Sequence, residues 1–256
     1  MNRYTSLALL LGAAALASCE KNAVQDITGT DPGSRIRFFN FGVNAPGVHF
    51  YADNTKMTAI SSTTGVESTT GTAYGGVGFT GLYSGIVPGS HTFTGRIAAA
   101  VDKDLAISSV TATLEDGKHY SFYQSGFYNT TTKTVEAFVV EDPFPEAIDY
   151  SVAHVRFVNA ISNANPMTLY ARDSTTKVEV AVGGAVPYKS AGAFTALPNG
   201  LYSLFTRYAG SSTNAIVRTG VSFVAGKVYT ISARGDITVT STTATNRPFL
   251  DNTANR

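Results

Sequence analysis

Four histidines are the side chains of this chain best suited to metal binding or acid–base chemistry. They are His49, His91, His119 and His154. No two of them have the H-x-x-x-H or H-x-H spacing that can place two imidazoles on one metal ion. His91 and His119 could meet across neighbouring strands. We expect ordinary, half-exposed strand histidines and no metal site.

Three short acidic clusters are the next candidates for metal binding or catalysis. Asp102-Lys103-Asp104 lacks the third acid, the glycine and the distal glutamate of a calcium loop. Glu115-Asp116 and Glu141-Asp142 are adjacent pairs near turns, whereas a glycosidase needs two carboxylates that face each other across a cleft. We therefore expect no calcium loop at 102–104 and predict solvated turn charges at the two adjacent pairs.

Motifs for nucleophilic or nucleotide chemistry are absent from the sequence. It has neither a G-x-S-x-G elbow nor a G-x-x-x-x-G-K-[ST] phosphate loop. Cys19 is the single cysteine, so no disulfide can form within one molecule. We expect no enzymatic activity and no cofactor.

Two arginines and two asparagines recur in an R-F-x-N motif, as Arg37 with Asn40 and Arg156 with Asn159. Such an arginine could contact an anion or a sugar acid. We favour an arginine on the solvent face of a strand, with its stem over a tyrosine or its charge beside an acid. Each asparagine is expected to satisfy a turn through its side-chain amide rather than to bind a ligand.

Residues 55–85 form a long stretch that is rich in Ser, Thr and Gly and only sparsely apolar. Tyr74, Phe79 and Tyr83 lie near its end. Loops of this length are usually functional or mobile. Aromatic rings beside hydroxyls could stack on sugar faces. The favoured alternative is a flexible linker loop whose last aromatic residues enter the next strand.

The tripeptide Asp173-Ser174-Thr175 resembles the short Asp-Ser/Thr acceptor that some Gram-negative envelope proteins use for O-glycosylation. Three residues often match by chance, so it stays open whether Ser174 carries a sugar. We expect a turn here, which would make the hydroxyl accessible.

The N-terminus has the pattern of a lipoprotein signal peptide over residues 1–18. A positive charge at Arg3 precedes an apolar run that is too short for a permanent membrane span. Leu16-Ala17-Ser18-Cys19 resembles a bacterial lipobox. The resemblance implies cleavage before Cys19, a diacylglycerol thioether on its sulfur and an acylated amino terminus. Residues 19–34 are then a polar tether between the lipid and the fold.

The composition favours strands over helices. Charged residues make up 14% of 256 residues, while Thr numbers 33, Gly 24 and Ser 22. This mix is typical of strands joined by short turns, and the best place for a helical turn is 97–105. The formal net charge is only +1, so the chain lacks the excess of positive charge that is typical of nucleic-acid-binding proteins.

Most of the chain consists of two copies of one sequence repeat. Three blocks recur in the same order: 37–40 at 156–159, 81–83 at 192–194, and 117–120 at 226–229. Matching order indicates a duplication whose length differences fall in loops. The connector at 142–145 holds two prolines, which stiffen it and give the units a preferred orientation.

Within each unit the apolar residues alternate with a period of two. In the first block, Ile36, Phe38 and Asn40 share one face of a strand, and Phe39 and Phe41 lie on the other. Many short strands without an amphipathic helix predict an all-β chain of two tandem antiparallel β-sandwich domains, immunoglobulin-like in size. We place repeat 1 at 35–148, repeat 2 at 151–245 and a C-terminal tail at 246–256.

The order of these motifs resembles the domain-of-unknown-function 4397 family. The pattern R-F-x-N-A-x-x-N-A, then L-P-x-G-x-Y, then G-K-x-Y fits 155–170, 197–202 and 226–229. The first unit fits at 36–51 and 117–120 but departs from the second motif. The resemblance implies a secreted or lipid-anchored bacterial domain that often occurs in tandem. It implies no catalytic residue.

Together these observations predict a lipid-anchored protein of a Gram-negative cell envelope, held at the outer membrane and facing the cell surface or the periplasm. We expect a non-catalytic binding or adhesion module for a glycan or a protein. The first alternative is a periplasm-facing structural subunit of an envelope complex. The second is a glycan-acting hydrolase or other enzyme. The sequence leaves the ligand, the membrane side and the oligomeric state open.

Overall fold

The computed structural model describes residues 33–61, 63–144 and 147–256. This part of the chain is all β, with eighteen strands and a single 3-10 helix at Gly78–Gly81. The first half (33–144) contains β1 Ser34–Asn40, β2 Val48–Ala52, β3 Thr55–Lys56, β4 Gly76–Val77, β5 Ser84–Ile86, β6 Gly89–Ile97, β7 Ala106–Leu114, β8 His119–Asn129 and β9 Thr134–Glu141. The second half (147–256) contains β10 Val152–Asn159, β11 Met167–Asp173, β12 Glu179–Val186, β13 Ser190–Ala191, β14 Thr195–Pro198, β15 Gly200–Tyr208, β16 Ile216–Phe223, β17 Val228–Arg234 and β18 Phe249–Ala254. Among the described residues, no helix is long and apolar enough to cross a membrane.

The strands form an inner and an outer sheet in each half, in a sandwich-like arrangement. In the first half the inner sheet has the order β4-β1-β8-β9, with β5 also on β1, and the outer sheet has the order β3-β2-β6-β7. In the second half the inner sheet is β13-β10-β17-β18, with β14 also on β10, and the outer sheet is β12-β11-β15-β16. The two halves therefore have the same strand order, element for element.

The strand pairing is mixed, so the prediction of antiparallel sheets was wrong for the inner ones. β1 runs parallel to β8, with Arg37 opposite Ser121, and β10 runs parallel to β17, with Arg156 opposite Thr230. In each half the chain crosses to the outer sheet and returns beside its own first strand. A period of two assigns side chains to faces, but it does not determine strand direction.

Each half has an apolar core between its inner and outer sheets. In the first half Phe38 of β1 stacks on Phe50 of β2, with 5.3 Å between ring centroids, and also packs against Phe93. In the second half Phe157 and Leu169 belong to the corresponding core. These side chains point inward because they occupy alternate positions of their strands.

A third apolar cluster joins the halves, on the opposite faces of the two inner sheets. Phe39, Tyr123 and Phe138 from the first half meet Val158 from the second half. Tyr123 stacks on Phe39 at 4.6 Å, and its hydroxyl lies 3.2 Å from that of Ser232. The inner sheets are thus covered on both faces, and the four sheets are stacked in the order outer, inner, inner, outer.

The predicted division of the first strand between two faces is confirmed. Ile36 and Phe38 belong to the core of the first half, whereas Phe39 and Phe41 belong to the cluster between the halves. The helical turn predicted at 97–105 was wrong, since β6 ends at Ile97 and a non-helical turn leads to β7.

The C-terminal segment predicted as a tail is a strand. β18 pairs antiparallel with β17, and Leu250 within it is fully buried. Residues 249–254 therefore belong to the second half. The prediction failed because Arg247 and Pro248 precede the strand and its apolar content is small.

Candidate functional site

The predicted lipid attachment site, Cys19, and the lipobox residues Leu16, Ala17 and Ser18 lie outside the described residues. The anchor stays a prediction from the sequence. Ser34, predicted as the last residue of the tether, is already the first residue of β1.

Arg37 and Arg156 are buried, and both have 0% exposure. They occupy the faces of the inner sheets that meet between the halves. The predicted solvent face was wrong because the other half covers it. The predicted neighbours are present, since the Arg37 guanidinium lies 4.6 Å from the ring centroid of Tyr83 and both arginines face the Asp142 carboxylate.

Asp142 is also buried, with a side chain that is 0% exposed, which corrects its prediction as a solvated turn charge. Its Oδ1 accepts a hydrogen bond from Nη2 of Arg156. Its Oδ2 accepts hydrogen bonds from the hydroxyls of Tyr83 at 2.6 Å and Ser121 at 2.7 Å, and lies 3.9 Å from Nη2 of Arg37. With these partners the carboxylate acts as a structural acceptor.

Burial changes the proton affinity of the neighbouring groups. It raises the pKa of Tyr83 to about 12, so this phenol remains a hydrogen-bond donor. It lowers the pKa of the Arg156 guanidinium. Paired with Asp142, Arg156 nevertheless remains a cation at neutral pH.

Around the two buried arginines, each half supplies a hydrogen-bond acceptor to the arginine of the other half. Asp142 follows β9 and binds Arg156 of the second half, whereas Asn255 follows β18 and accepts a 2.6 Å hydrogen bond from Nη2 of Arg37. We call these four residues the clasp. Only one of the two acceptors is an acid, and Nη1 of Arg37 has no hydrogen-bond partner among the described residues.

Asn255 was not among the predicted site residues, and the strand pairing shows what it corresponds to. Tyr120 pairs with Glu141 in the first half, and the aligned Tyr229 pairs with Ala254 in the second half. Asp142 and Asn255 are therefore equivalent positions. The loops before the last strand of each half differ in length and hide this correspondence in a simple alignment.

The two repeated asparagines act as predicted. Oδ1 of Asn40 accepts from the backbone N–H of Gly42 at 3.3 Å, and Oδ1 of Asn159 accepts from that of Ile161 at 3.1 Å. The amide nitrogen of Asn40 donates to the carbonyl of Thr72, and that of Asn159 donates to the carbonyl of Val186 at the end of β12. Both close turns after the first strand of their half, as predicted.

The histidines that could have met across strands are separated. His91 lies on β6 of the outer sheet, where Nδ1 is 2.8 Å from Oδ2 of Asp53. His119 lies on β8 of the inner sheet, with its ring 5.0 Å from that of Tyr83 and 4.9 Å from that of Phe144. They form no shared site.

The acidic residues at 102–104 bind neighbouring side chains, and the pair at 115–116 is the solvated turn charge that was predicted. Asp102 pairs with Lys133 at 2.6 Å, and Asp104 accepts a 2.8 Å hydrogen bond from the hydroxyl of Tyr51. Glu115 and Asp116 are exposed. Within the described ranges, no three His, Cys, Asp or Glu side chains come together in a way that could hold a metal ion.

Residues 55–85 fold against the first half. The segment contains β3, β4, the 3-10 helix and β5. His49 of β2 ties it down, because its ring nitrogens lie 3.2 Å from the carbonyl oxygen of Thr58 and 2.9 Å from that of Ser68. His49 is fully buried, which corrects the expectation that it is half-exposed.

An open groove of about 530 Å³ lies along this segment. Its lining residues are Thr58, Ile60, Ser61, Ser68, Gly71, Thr72, Ala73, Gly76, Val77 and Leu82. We call it the 58–82 groove. None of these residues is charged, and Ile60 and Leu82 are 56% and 68% exposed.

The aromatic residues of the segment do not line the groove. Tyr83 packs on Arg37, and the ring of Tyr74 lies 5.0 Å from the guanidinium of Arg234. The side chain of Phe79 lies outside the described part of the chain. The arrangement therefore offers hydroxyls and aliphatic groups to a ligand, without the described rings on which sugar stacking would depend.

Asp173-Ser174-Thr175 forms the expected turn. Oδ1 of Asp173 accepts from the backbone N–H groups of Thr175 and Thr176, both at 2.7 Å. Whether Ser174 is glycosylated stays a prediction.

Comparison with known proteins identifies no family. No family model matches the chain, and no curated protein matches it. Among solved structures, the Bacillus anthracis TIE protein is 14% identical at a TM-score of 0.22, over 78% of this chain and 32% of its own. This chain thus spans about a third of that protein's length.

Two further structures are each described as a "putative cell adhesion protein". The one from Bacteroides fragilis NCTC 9343 is 10% identical, over 87% of this chain and 98% of its own. The one from Bacteroides ovatus ATCC 8483 is 11% identical, over 89% and 97%. Both TM-scores are 0.24, so this similarity carries no argument about function.

Proposed function

We propose that the protein is a lipid-anchored, non-catalytic interaction module of the bacterial cell envelope, and that its 58–82 groove binds a segment of another protein. The observation that supports the binding role is the groove itself. It is built by a segment tied down by His49, and it leaves Ile60 and Leu82 largely exposed. Exposed apolar side chains that line a groove are typical of ligand sites.

The lining favours a protein ligand over a glycan. Ile60, Val77 and Leu82 offer apolar surface, and the hydroxyls around them can bond to a peptide backbone. β4, which contributes Gly76 and Val77, is an edge strand of the inner sheet. An extended segment can add to such an edge through main-chain hydrogen bonds while its side chains enter the groove.

We also propose that each half is a separate sandwich domain of immunoglobulin-like size. The same strand order in both halves supports this division. Membership of the domain-of-unknown-function 4397 family rests on the motif order in the sequence. With the clasp and the cluster around Tyr123, the two domains would present the groove on a rigid support.

Site-specific crosslinking tests the groove. A photoreactive residue at Leu82, in the full chain in living cells, is expected to capture a protein partner. The same residue at Val87, which is 66% exposed but does not line the groove, should capture none. A photoreactive residue at Ile60, on the same groove, should capture the same partner. Adding Leu82→Asp to that chain should abolish the capture, whereas adding Val87→Asp should not. Equal capture from both positions, or none from either, would contradict the proposal.

A glycan array with the same two variants tests the other ligand class. Glycan binding that is lost in Leu82→Asp and kept in Val87→Asp would replace the protein ligand with a sugar.

Protease treatment of intact cells, followed by immunoblotting for the second half, tests the location. Loss of signal in intact cells would support an outward-facing adhesion role. Protection in intact cells with loss after lysis would favour the alternative of a periplasm-facing structural subunit.

A further inference from the structure

The second half has a long connection with no counterpart in the first. Residues 235–248 join β17 to β18, whereas residues 130–133 suffice to join β8 to β9. An insertion of this length at equivalent positions of a repeat is a candidate for a function of its own.

Three guanidinium groups surround one ring where this connection rejoins the sheet. The carbons of Arg218, Arg234 and Arg247 lie 5.2, 5.1 and 5.4 Å from the centroid of Phe249. Because all three guanidinium carbons lie this close to one centroid, any two of them are at most about 11 Å apart. The ring attracts each cation, but like charges at this spacing repel each other.

A single carboxylate partly offsets these charges. Asp251 binds Nε of Arg234 at 2.5 Å. Arg218 donates to the backbone carbonyl of Leu250, and Arg247 to that of Ala244. Neither Arg218 nor Arg247 forms an ion pair with a described residue, so an anion that binds here would relieve the repulsion.

A groove of about 740 Å³ opens beside these two arginines. Arg218, Arg247 and Phe249 line it. The rest of the lining combines the hydroxyl residues Thr219, Thr240, Ser241 and Thr242 with the apolar residues Ala215, Ile216, Val217, Ile237, Val239 and Pro248. The hydroxyls can donate to or accept from a sugar, and the two guanidiniums can each bind an anionic oxygen group.

We propose that this groove, which we call the 218–249 groove, binds an acidic carbohydrate, with Arg218 and Arg247 holding its carboxylate or sulfate groups. The site is separate from the 58–82 groove and does not depend on the function proposed for it. Hydroxyl side chains alternate with aliphatic ones in the lining, which suits a sugar, with its hydroxyls and C–H faces, better than other polyanions. Nucleic acid fits poorly, because two arginines without an ion-pair partner among the described residues, in a chain of net charge +1, do not match closely spaced phosphates.

Titration calorimetry on the purified full chain tests the site with four probes. These are a galacturonic acid tetramer, its methyl ester, a heparin-derived tetrasaccharide and sodium sulfate. We expect the acidic tetramer or the sulfated tetrasaccharide to bind, and the preferred one identifies the anionic group. The uncharged methyl ester should not bind, and affinity should fall as salt is raised.

The double variant Arg218→Gln/Arg247→Gln should weaken sugar binding by about tenfold or more, since each charged hydrogen bond contributes to affinity. Arg172→Gln/Lys227→Gln, on exposed residues outside the groove, removes the same charge and should leave binding unchanged. Replacing both arginines by lysine should restore part of the affinity. Thermal melting of each variant confirms that it is folded.

Several outcomes would overturn the proposal. One is equal binding of the tetramer and its methyl ester, which would remove the role of charge. Others are an unchanged affinity in the double glutamine variant and a sulfate ion that binds as tightly as either sugar. Tighter binding of a single-stranded oligonucleotide than of both acidic sugars would replace the carbohydrate with a nucleic acid.

Discussion

Asp142 lies between two buried guanidiniums, and it contributes the single negative charge of the clasp. It hydrogen-bonds directly to Arg156, while Nη2 of Arg37 is 3.9 Å away. Removing charges from water is costly, so a buried pair is not in itself a source of large net stability. Removing one partner alone is more damaging, because the remaining charges stay buried without compensation.

Asp142→Asn is therefore expected to lower the free energy of unfolding by about 3–5 kcal/mol, the range typical of a broken buried ion pair. Chemical denaturation measures the change. Asp116→Asn, an exposed acid on a nearby turn, is the matched control and should change it by less than about 0.5 kcal/mol. Similar losses in both variants would show that the clasp does not stabilise the fold.

The asymmetry of the clasp predicts a stabilising substitution. Asn255→Asp would place a carboxylate 2.6 Å from Nη2 of Arg37 and balance the second guanidinium. We expect the free energy of unfolding to rise by about 1 kcal/mol, since a hydrogen bond between charged groups is stronger than one to a neutral amide. Denaturation of this variant beside Asn199→Asp, at an exposed asparagine of the second half, measures the gain. A loss of stability would mean that desolvation of the new carboxylate outweighs the pairing.

The pair formed by His91 and Asp53 should make the stability of the fold depend on pH. Burial by itself would lower the pKa of His91, but the hydrogen bonds to Asp53 and to the carbonyl of Val87 outweigh it and the pKa is raised. The hydrogen bond from His91 lowers the pKa of Asp53. The histidine contributes stability below about pH 6.5 and loses it as pH rises through its raised pKa. The aspartate contributes above about pH 4 and loses it as pH falls through its lowered pKa.

The contribution of the pair is thus largest between these limits. His91→Gln should lower the melting temperature more at about pH 5.5 than at about pH 9. His154→Gln, on β10 in the second half, is the control for a lost imidazole. An equal effect of His91→Gln at both pH values would contradict the assignment.

At the scale of elements, β18 completes the inner sheet of the second half. It begins with Phe249 of the 218–249 groove, and Asn255 of the clasp follows directly after its last residue. One short strand therefore links the packing between halves to the proposed carbohydrate site.

Leu250→Ala tests whether β18 is part of the core. The side chain is fully buried, so the substitution should lower the free energy of unfolding by about 2–5 kcal/mol. Leu201→Ala removes the same atoms from a residue that is 50% exposed and should cost much less. A small effect at Leu250, measured by urea denaturation, would mean that the segment is a loosely attached tail.

At the scale of the whole molecule, the stacking of the inner sheets predicts cooperative unfolding. The described residues form one compact unit, and the cluster around Tyr123 and the clasp both span the halves. We expect a single calorimetric transition in which calorimetric and van't Hoff enthalpies agree. Asp142→Asn should broaden or split it. Two separate transitions in the unaltered chain would show that the halves unfold independently.

Local features of the fold could be read from the sequence because they depend on neighbouring residues. Alternation in 35–41 assigned Phe38 and Phe39 to opposite faces, and both assignments are correct. Asn40 and Asn159 close turns within two residues of themselves, so their role also follows from local geometry. The duplicated blocks likewise anticipated equivalent strands in both halves.

The tertiary structure alone decided which faces are buried and which polar groups meet. Arg37 and Asp142 looked exposed, since nothing near them in sequence indicates that a second sheet covers them. The parallel pairing, β18 and both grooves depend on segments far apart in the chain. Hydrophobic periodicity determines how a strand orients its side chains, but what lies opposite each face is determined by how the sheets pack.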